Sequence, residues 1–366
     1  MTHLGIDARA AAEEPAGRGR YVRELLRALA RRDDDHVYEL YAREAWAEDL
    51  DERFRWRLIR VSDPVWHLRV ARTASSACSA FLSTNSYLTA WFLRVPGVVV
   101  VHDLIPFVRG VATRRSSKLI EHATIGLGVR RAARIVCDSD STRTDLLERY
   151  PRLAGRAVTV PLGVDEDFRR RRTPDELASA RRRHNLDGPF VLSVGTLEPR
   201  KNLERAVEAF GSLPSDLLRE TRLALVGLRG WDFEPILERA RLQADRVTLL
   251  DRVSDEDLGA LYQTCDAFVF PSLYEGFGLP LLEALAAGAP AIASNVSSLP
   301  EVGGDAVVYV DPLETSQIRG ALEKVLSSPE KRDRLRALGP KQAAKFSWAR
   351  TAKGVLDQLG EAASRS

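Results

Sequence analysis

The sequence has little of what staples or metallates a small protein. Only three cysteines occur among 366 residues, Cys78, Cys137 and Cys265, and they lie far apart. That spacing argues against both a cysteine-based zinc site and a disulfide framework, so a reducing cytoplasm is the expected compartment. No run of about 18 apolar residues is free of charge. The nearest, from Leu88 to Val108, is broken by Arg94, Pro96, His102 and Asp103, which argues against a membrane-spanning helix. The opening Met-Thr-His-Leu-Gly-Ile-Asp goes straight into strand-like sequence, so no signal peptide is expected. Net charge is only +3, and the six tryptophans form no stacking stripe; nucleic acid is not an expected partner. Repeats and low-complexity tracts are missing too. No Asp-x-Asp pair sits on a loop suited to a metal. The nearest match, Asp138-Ser-Asp140, reads as the start of a helix at Ser141.

What is present is globular. Apolar residues make up 45% of the chain and charged residues 29%, in a mass of 40.7 kDa, which favours two domains. Short β-branched runs alternate with longer amphipathic stretches. Strands are expected at residues 4–8, 37–41, 57–61, 80–83, 98–101, 134–137 and 158–160. A second series follows at 190–194, 223–226, 247–250, 267–270, 291–293 and 307–310. Helices are expected at 21–31, 141–150, 203–211, 234–243, 255–264, 280–287 and 316–326. Continuous apolar strands interleaved with helices imply parallel sheets covered on both faces. The pattern occurs twice, so the expected fold is α/β with two doubly wound, Rossmann-like domains. The boundary is expected in the polar stretch 165–189, which reads as a linker with a helical part at 174–184. Two such domains are expected to face each other across a cleft at their carboxyl strand ends, where open α/β sheets bind ligands.

Three loop-to-helix turns carry the chemistry. Gly17-Arg18-Gly19 follows the first strand and precedes a helix. Its glycines let backbone approach a phosphate, and the helix start supplies N–H groups. Gly195-Thr196-Leu197-Glu198-Pro199-Arg200-Lys201-Asn202 follows the first strand of the second series. Asn202 suits an N-cap, and Arg200 and Lys201 fall on the lip of the strand end, which favours an anion. The third turn runs from Ser272 to Glu283 as Ser-Leu-Tyr-Glu-Gly-Phe-Gly-Leu-Pro-Leu-Leu-Glu. Pro280 fits the first helical position and Gly288 can close the helix. Gly276 and Gly278 leave amides open to an anion. Glu275 and Glu283 bracket the turn, and a carboxylate at Glu283 matches vicinal hydroxyls as in dinucleotide sites. A basic region at Arg109, Arg114, Arg115, Lys118, Arg130, Arg131 and Arg134 has Glu121 as its only acid. It reads either as a solvated face or as contact with an anionic bilayer or a diphospholipid acceptor.

Glu275 and Glu283, with seven residues between them in Glu-Gly-Phe-Gly-Leu-Pro-Leu-Leu-Glu, resemble the signature of glycosyltransferase family 4. Nearly the whole chain resembles the family. Segments 195–202, 253–258 and 300–311 match its phosphate loop, its base-side segment and the region after the signature. Pro161-Leu-Gly-Val-Asp165 matches its hinge, and Val101-His102-Asp103-Leu104 an acceptor-side motif. The closest branch is that of bacterial mannosyltransferases.

The resemblance implies the GT-B fold. It assigns residues 1–165 to an acceptor-binding domain, 166–345 to a nucleotide-sugar domain, and 346–366 to a helix crossing back, with Trp348 as its anchor. It implies retaining, metal-independent transfer of a hexose, mannose from GDP-mannose leading. The acceptor would be a glycan, lipid-linked or small-molecule hydroxyl in cell-surface polysaccharide synthesis. No cofactor is implied beyond the donor, and the location would be cytoplasmic or peripheral at the inner membrane face. Glu283 would hold ribose. Glu275, with Gly276, Phe277, Gly278 and Leu279, would hold sugar and phosphate. Arg200 and Lys201 would neutralise the diphosphate, Gly195, Thr196 and Val253 would line the donor, and Gly17 and Gly19 would close over it. His102 would sit beside the reacting sugar, with Asp103 on the acceptor side. The chain departs from the family at Thr196, where Arg is common, at Asp251, where Gly is common, and at Arg18. A GT-B epimerase or hydrolase would reuse the site, but with extra acids for proton work. A non-catalytic sugar-nucleotide subunit would lack the lysine or one glutamate, and both are present.

Overall fold

A computed structural model describes residues 2–14, 17–84, 86–108, 115–243 and 245–364, with residues 115–122 as backbone only. Seven parallel strands build the first sheet: β1 (His3–Asp7), β2 (Val37–Ala42), β3 (Phe54–Leu58), β4 (Ala80–Ser83), β5 (Gly97–Val101), β6 (Arg134–Cys137) and β7 (Ala157–Thr159). Six more build the second: β8 (Phe190–Val194), β9 (Arg222–Val226), β10 (Val247–Leu250), β11 (Ala267–Phe270), β12 (Ala291–Ser294) and β13 (Val307–Val310). The orders are β3-β2-β1-β4-β5-β6-β7 and β10-β9-β8-β11-β12-β13. Both follow the dinucleotide-binding order, in which direction reverses beside the first strand. The switch points therefore lie between β1 and β4 and between β8 and β11. The residues expected at the site come to these strand ends because the topology delivers them there.

Central strands are buried throughout, as in Gly97–Val101 and Ala267–Phe270. Parallel strands covered on both faces demand such apolar runs. Helix starts are fixed by side chains: Ser139, Thr173, Ser254 and Ser347 each accept from the amide three residues on. Thr173 and Glu176 complete a capping box, satisfying donors that a helix leaves open. Gly288, with φ 82°, closes the helix Leu279–Ala287 as expected.

The chain divides into two compact units. One takes in the chain up to Gly163 and resumes at Ser347; the other is Val164–Phe346. The stretch 165–189 is no linker. Phe168 is fully buried with its ring 5.9 Å from Tyr262. Arg169 donates to the carbonyls of Ala343 and Phe346, and buried Arg172 pairs with Asp167. Its arginines tie down the second unit.

One strand is displaced from expectation. β3 is Phe54–Leu58, not 57–61, because it is an edge strand that needs only one buried face. Phe54 stacks on Tyr38 at 4.7 Å, while Ile59 and Val61 pack against the core from beyond the strand end. Helices Val65–Ala77, Arg115–Arg131 and Pro329–Ala343 also form where none was expected. The last is highly charged and buries only Leu335, Gly339, Gln342 and Ala343.

Candidate active site

The second unit brings two of the three expected turns to one switch point. β8 runs into Gly195, and the chain then makes a 3-10 turn at Pro199–Lys201 before the helix Leu203–Gly211. β11 runs into the loop that starts the helix Leu279–Ala287. The backbone joins them, since Leu273 N–H donates to the Arg200 carbonyl at 2.8 Å. Asn202 holds the N-cap position but does not cap. It takes left-handed backbone (φ 57°), and its amide donates to the carbonyls of Pro271 and Pro312 at 3.0 and 2.7 Å. A cap was expected; a brace between three loops is found. Gly278 starts its helix at φ 105°, and a Cβ there would lie 2.7 Å from Leu299 Cδ2. Only glycine fits both constraints.

Three charges meet in this turn pair. Lys201 Nζ donates to Glu275 Oε1 at 2.6 Å, and Arg200 Nη1 lies 2.9 Å from Glu275 Oε2. Arg200 also donates to the Tyr274 carbonyl at 2.8 Å and to Glu198 at 2.6 Å. The Glu275 backbone is clamped: its N–H donates to Ser297 Oγ, and Ser298 Oγ donates to the carbonyls of Glu275 and Phe277. Burial pushes the Glu275 carboxyl up, but Arg200 and Lys201 outweigh it and hold the group at about 2. Burial, aided by Arg200, lowers the Lys201 amine against the pull of Glu275. The glutamate lies where the lysine and the arginine converge.

Around it, Gly276 and Phe277 are buried, Leu279 is half-buried and Thr196 is exposed. Glu283 is 4% exposed one turn into its helix, with the Tyr262 hydroxyl 3.4 Å from Oε2. Val253 is half-buried in the loop ahead of Ser254, the cap of the helix Asp255–Thr264.

The remaining expected residues lie in the first unit. His102 follows β5. Its Nδ1 is 2.7 Å from Asp138 Oδ2 and its Nε2 2.9 Å from the Thr84 carbonyl. Asp103 is not its partner; Asp103 accepts from the Ile105 N–H at 3.1 Å and starts a short turn. Gly17 caps the helix Arg18–Ala30 at φ 55°. A Cβ on Gly19 would collide with the Glu14 carbonyl, so close packing accounts for that glycine. Within the basic region, Arg109 and Arg114 lie outside the described residues, as do the side chains of Arg115, Lys118 and Glu121. Arg134 is buried and bonded to Gln358 and the Gly155 carbonyl. It packs the protein rather than facing a bilayer.

Residues 175–342 match the family profile described as glycosyl transferases group 1, and residues 15–168 match that of glycosyltransferase family 4. The chain belongs to glycosyltransferase family 4. O-antigen chain mannosyltransferase B of Escherichia coli is 37% identical over 58% of this chain and 57% of its own length. The serotype-specific mannosyltransferase WbdA of Escherichia coli is 34% identical over 71% of this chain and 33% of its own. The chain thus spans about a third to about half the length of these relatives. Anabaena Alr3699/HepE, solved in complex with UDP and glucose, shares the fold at a TM-score of 0.79 and 16% identity, over 99% of this chain and all of that one. The architecture is GT-B.

Family motifs pointed to Arg200, Lys201, Glu275 and Glu283, and the structure brings the first three into contact. Several neighbours escaped that reading. Glu198, Ser297 and Ser298 hold the charged trio in place. Asp138 holds His102. Its sequence signal was in view: Ser139 does cap the next helix, accepting from Thr142 N–H at 3.0 Å, and that leaves Asp138 free for another task.

Proposed function

We propose that the protein transfers a hexosyl group, with retention, from a nucleoside diphosphate sugar to an acceptor hydroxyl. The observation that carries this reading is the Arg200–Lys201–Glu275 trio at the second switch point. Breaking a glycosyl–phosphate bond builds negative charge on the diphosphate. Two cations fixed in a buried site stabilise that charge without reorganising, so the reaction needs no metal. Glu275 keeps the cations in place until the donor arrives; the diphosphate then takes the cations and frees the carboxylate for the sugar hydroxyls. Glu283 binds the ribose, Val253 and Thr196 border the donor, and Gly17 and His102 serve the sugar side. Mannose is the leading sugar, supported by the names of the two relatives, with GDP-mannose as its donor; the acceptor is a glycan or lipid-linked hydroxyl.

The proposal extends to the inner face of the membrane, but by a different surface from the basic region. No described helix is long and apolar enough to cross a membrane. Val65 and Leu68 are exposed beside Arg69 and Arg72 on one helix face, and Trp91 and Phe92 are exposed on the neighbouring helix Tyr87–Phe92. Between Phe54 and Val101 there are six arginines and a single acid, Asp63, which is held by Arg9 and Arg43. Apolar side chains rimmed by cations suit an anionic bilayer. Leu68→Glu with Trp91→Ser should abolish co-sedimentation with anionic vesicles and spare transfer to a soluble acceptor; unchanged sedimentation would remove this surface.

The decisive experiment is a panel of nucleoside diphosphate sugars scored by ligand-induced melting shift. The donor that binds is then tested for transfer in EDTA, with the product anomer read by NMR. Strict dependence on added magnesium, or an inverted anomer, would overturn the corresponding part of the reading.

A further inference from the structure

His102 has no free ring nitrogen. Nε2 faces a carbonyl oxygen, from Thr84, which can only accept a hydrogen bond, so Nε2 carries a proton. Nδ1 faces Asp138 Oδ2 at 2.7 Å, and Asp138 is 2% exposed. An imidazole is the stronger base of this pair by more than two pH units in water, an order that puts the shared proton on nitrogen although burial also pushes the Asp138 carboxyl up. We propose that Asp138 is a positioning residue that keeps His102 doubly protonated, making the ring a fixed cation that gives and takes no proton.

The surroundings agree. Tyr21, from the helix Arg18–Ala30, presents its ring edge-on at 4.9 Å. The other charged groups facing the pair are Arg18 and Asp103. Burial and Arg18 push His102 toward neutrality, while Asp138 and the Thr84 carbonyl hold it charged, and the net direction is upward. Asp138 Oδ1 is buried without a hydrogen-bond partner, and Arg18 also draws on the carboxylate. As to what the ring does, the inference rests on the transfer reading. A ring with both N–H groups occupied cannot act as general acid or base, so its charge stays unchanged through the reaction.

The test is ring-nitrogen NMR on the full-length protein labelled in histidine, with the His102 signals assigned through His102→Gln. Both nitrogens should be protonated at about pH 7 and remain so well above the ordinary histidine range of about 6.5. In Asp138→Asn the ring should lose one proton, its pKa falling by about 1–3 pH units. Transfer by that variant should drop at neutral pH and recover as the medium is acidified. A purely structural role would lower activity equally at all pH. A wild-type ring with one protonated nitrogen at pH 7, or a uniform loss in Asp138→Asn, would overturn the proposal. If Asp138→Asn does not fold, the wild-type spectrum still decides the charge. If no donor supports transfer, the transfer reading fails while the ring signature stands or falls by itself.

Discussion

Glu275 is held by two cations in a buried site, and that fixes what its removal should do. Glu275→Gln leaves Lys201 and Arg200 buried without their anion. Breaking one side of a buried pair costs roughly 3–5 kcal/mol, so the free variant should melt well below wild type. A nucleoside diphosphate supplies the missing anion, so its melting shift should be larger in the variant than in wild type, while transfer falls. An equal or smaller shift would show that Glu275 does not compete with the diphosphate. The same carboxylate sets an acid dependence. Its folded pKa of about 2 lies below its ordinary 4.5. The stability it contributes is therefore complete above about pH 4.5 and lost as pH falls toward 2. Glu275→Gln should lack that limb in a melting-versus-pH series. For Lys201→Ala and Arg200→Ala, each should lower kcat/KM by roughly two to three powers of ten, the scale of one lost transition-state donor. The double variant should lose less than the sum, because both serve one anion. Near-normal activity for Lys201→Ala would remove the anion-site reading of the turn. At this scale the sequence displayed its local chemistry well. Lys201, Glu275 and Glu283 stood out in turns that resemble the family's motifs. Asp138 did not, because its partner is 36 residues away and on another strand; only the pairing of β5 with β6 brings them together.

Elements were legible wherever an apolar run is bounded by turns. The runs at 80–83, 134–137, 190–194 and 267–270 coincide with interior strands, where cover on both faces favours apolar residues, and the runs at 247–250 and 307–310 coincide with half-buried edge strands. The edge strand β3 alternates, and its apolar continuation at Ile59 and Val61 drew the expected strand three residues too far. The helix Pro329–Ala343 was invisible because its contact with the helix Leu279–Ala287 uses small residues: a Cβ on Gly339 would lie 2.8 Å from the Leu285 carbonyl. The third turn illustrates the opposite case, where one residue's backbone demand shows plainly. Gly278→Ala must place a Cβ at φ 105° and against Leu299. Strain at such a position costs about 1–3 kcal/mol. Melting should fall by that amount, and the nucleoside diphosphate shift should shrink because the helix start moves. Wild-type stability in Gly278→Ala would show that this turn tolerates another geometry.

At the scale of the molecule, the chain order hides one grouping. The helix Trp348–Ala363 follows the second unit in sequence but is built into the first. Its apolar face, Trp348, Ala352, Val355, Leu359 and Ala362, is buried at helical spacing. Trp348 lies 6.0 Å from the Tyr21 ring, and Thr351 donates to the Pro161 carbonyl at 2.7 Å. Arg134 reaches the helix twice, through Gln358 at 2.7 Å and Glu361 at 3.1 Å. Fully buried Val and Leu side chains are each worth about 1.5–3 kcal/mol. Losing Val355 and Leu359 together with the larger Trp348, and leaving the Arg134 guanidinium without two acceptors, takes most of what a domain can spare when its whole stability is about 5–15 kcal/mol. Ending the chain after Phe346 should therefore unfold the first unit at ambient temperature and leave the second folded. Hydrogen exchange should show β1 to β7 unprotected and β8 to β13 protected. A nucleoside diphosphate should still raise the melting point of the truncated chain, because the trio and Glu283 all lie in the second unit. Protection lost equally from both sheets would show that the units do not fold separately. Protection kept in both would show that the final helix only covers a surface the first unit can leave bare.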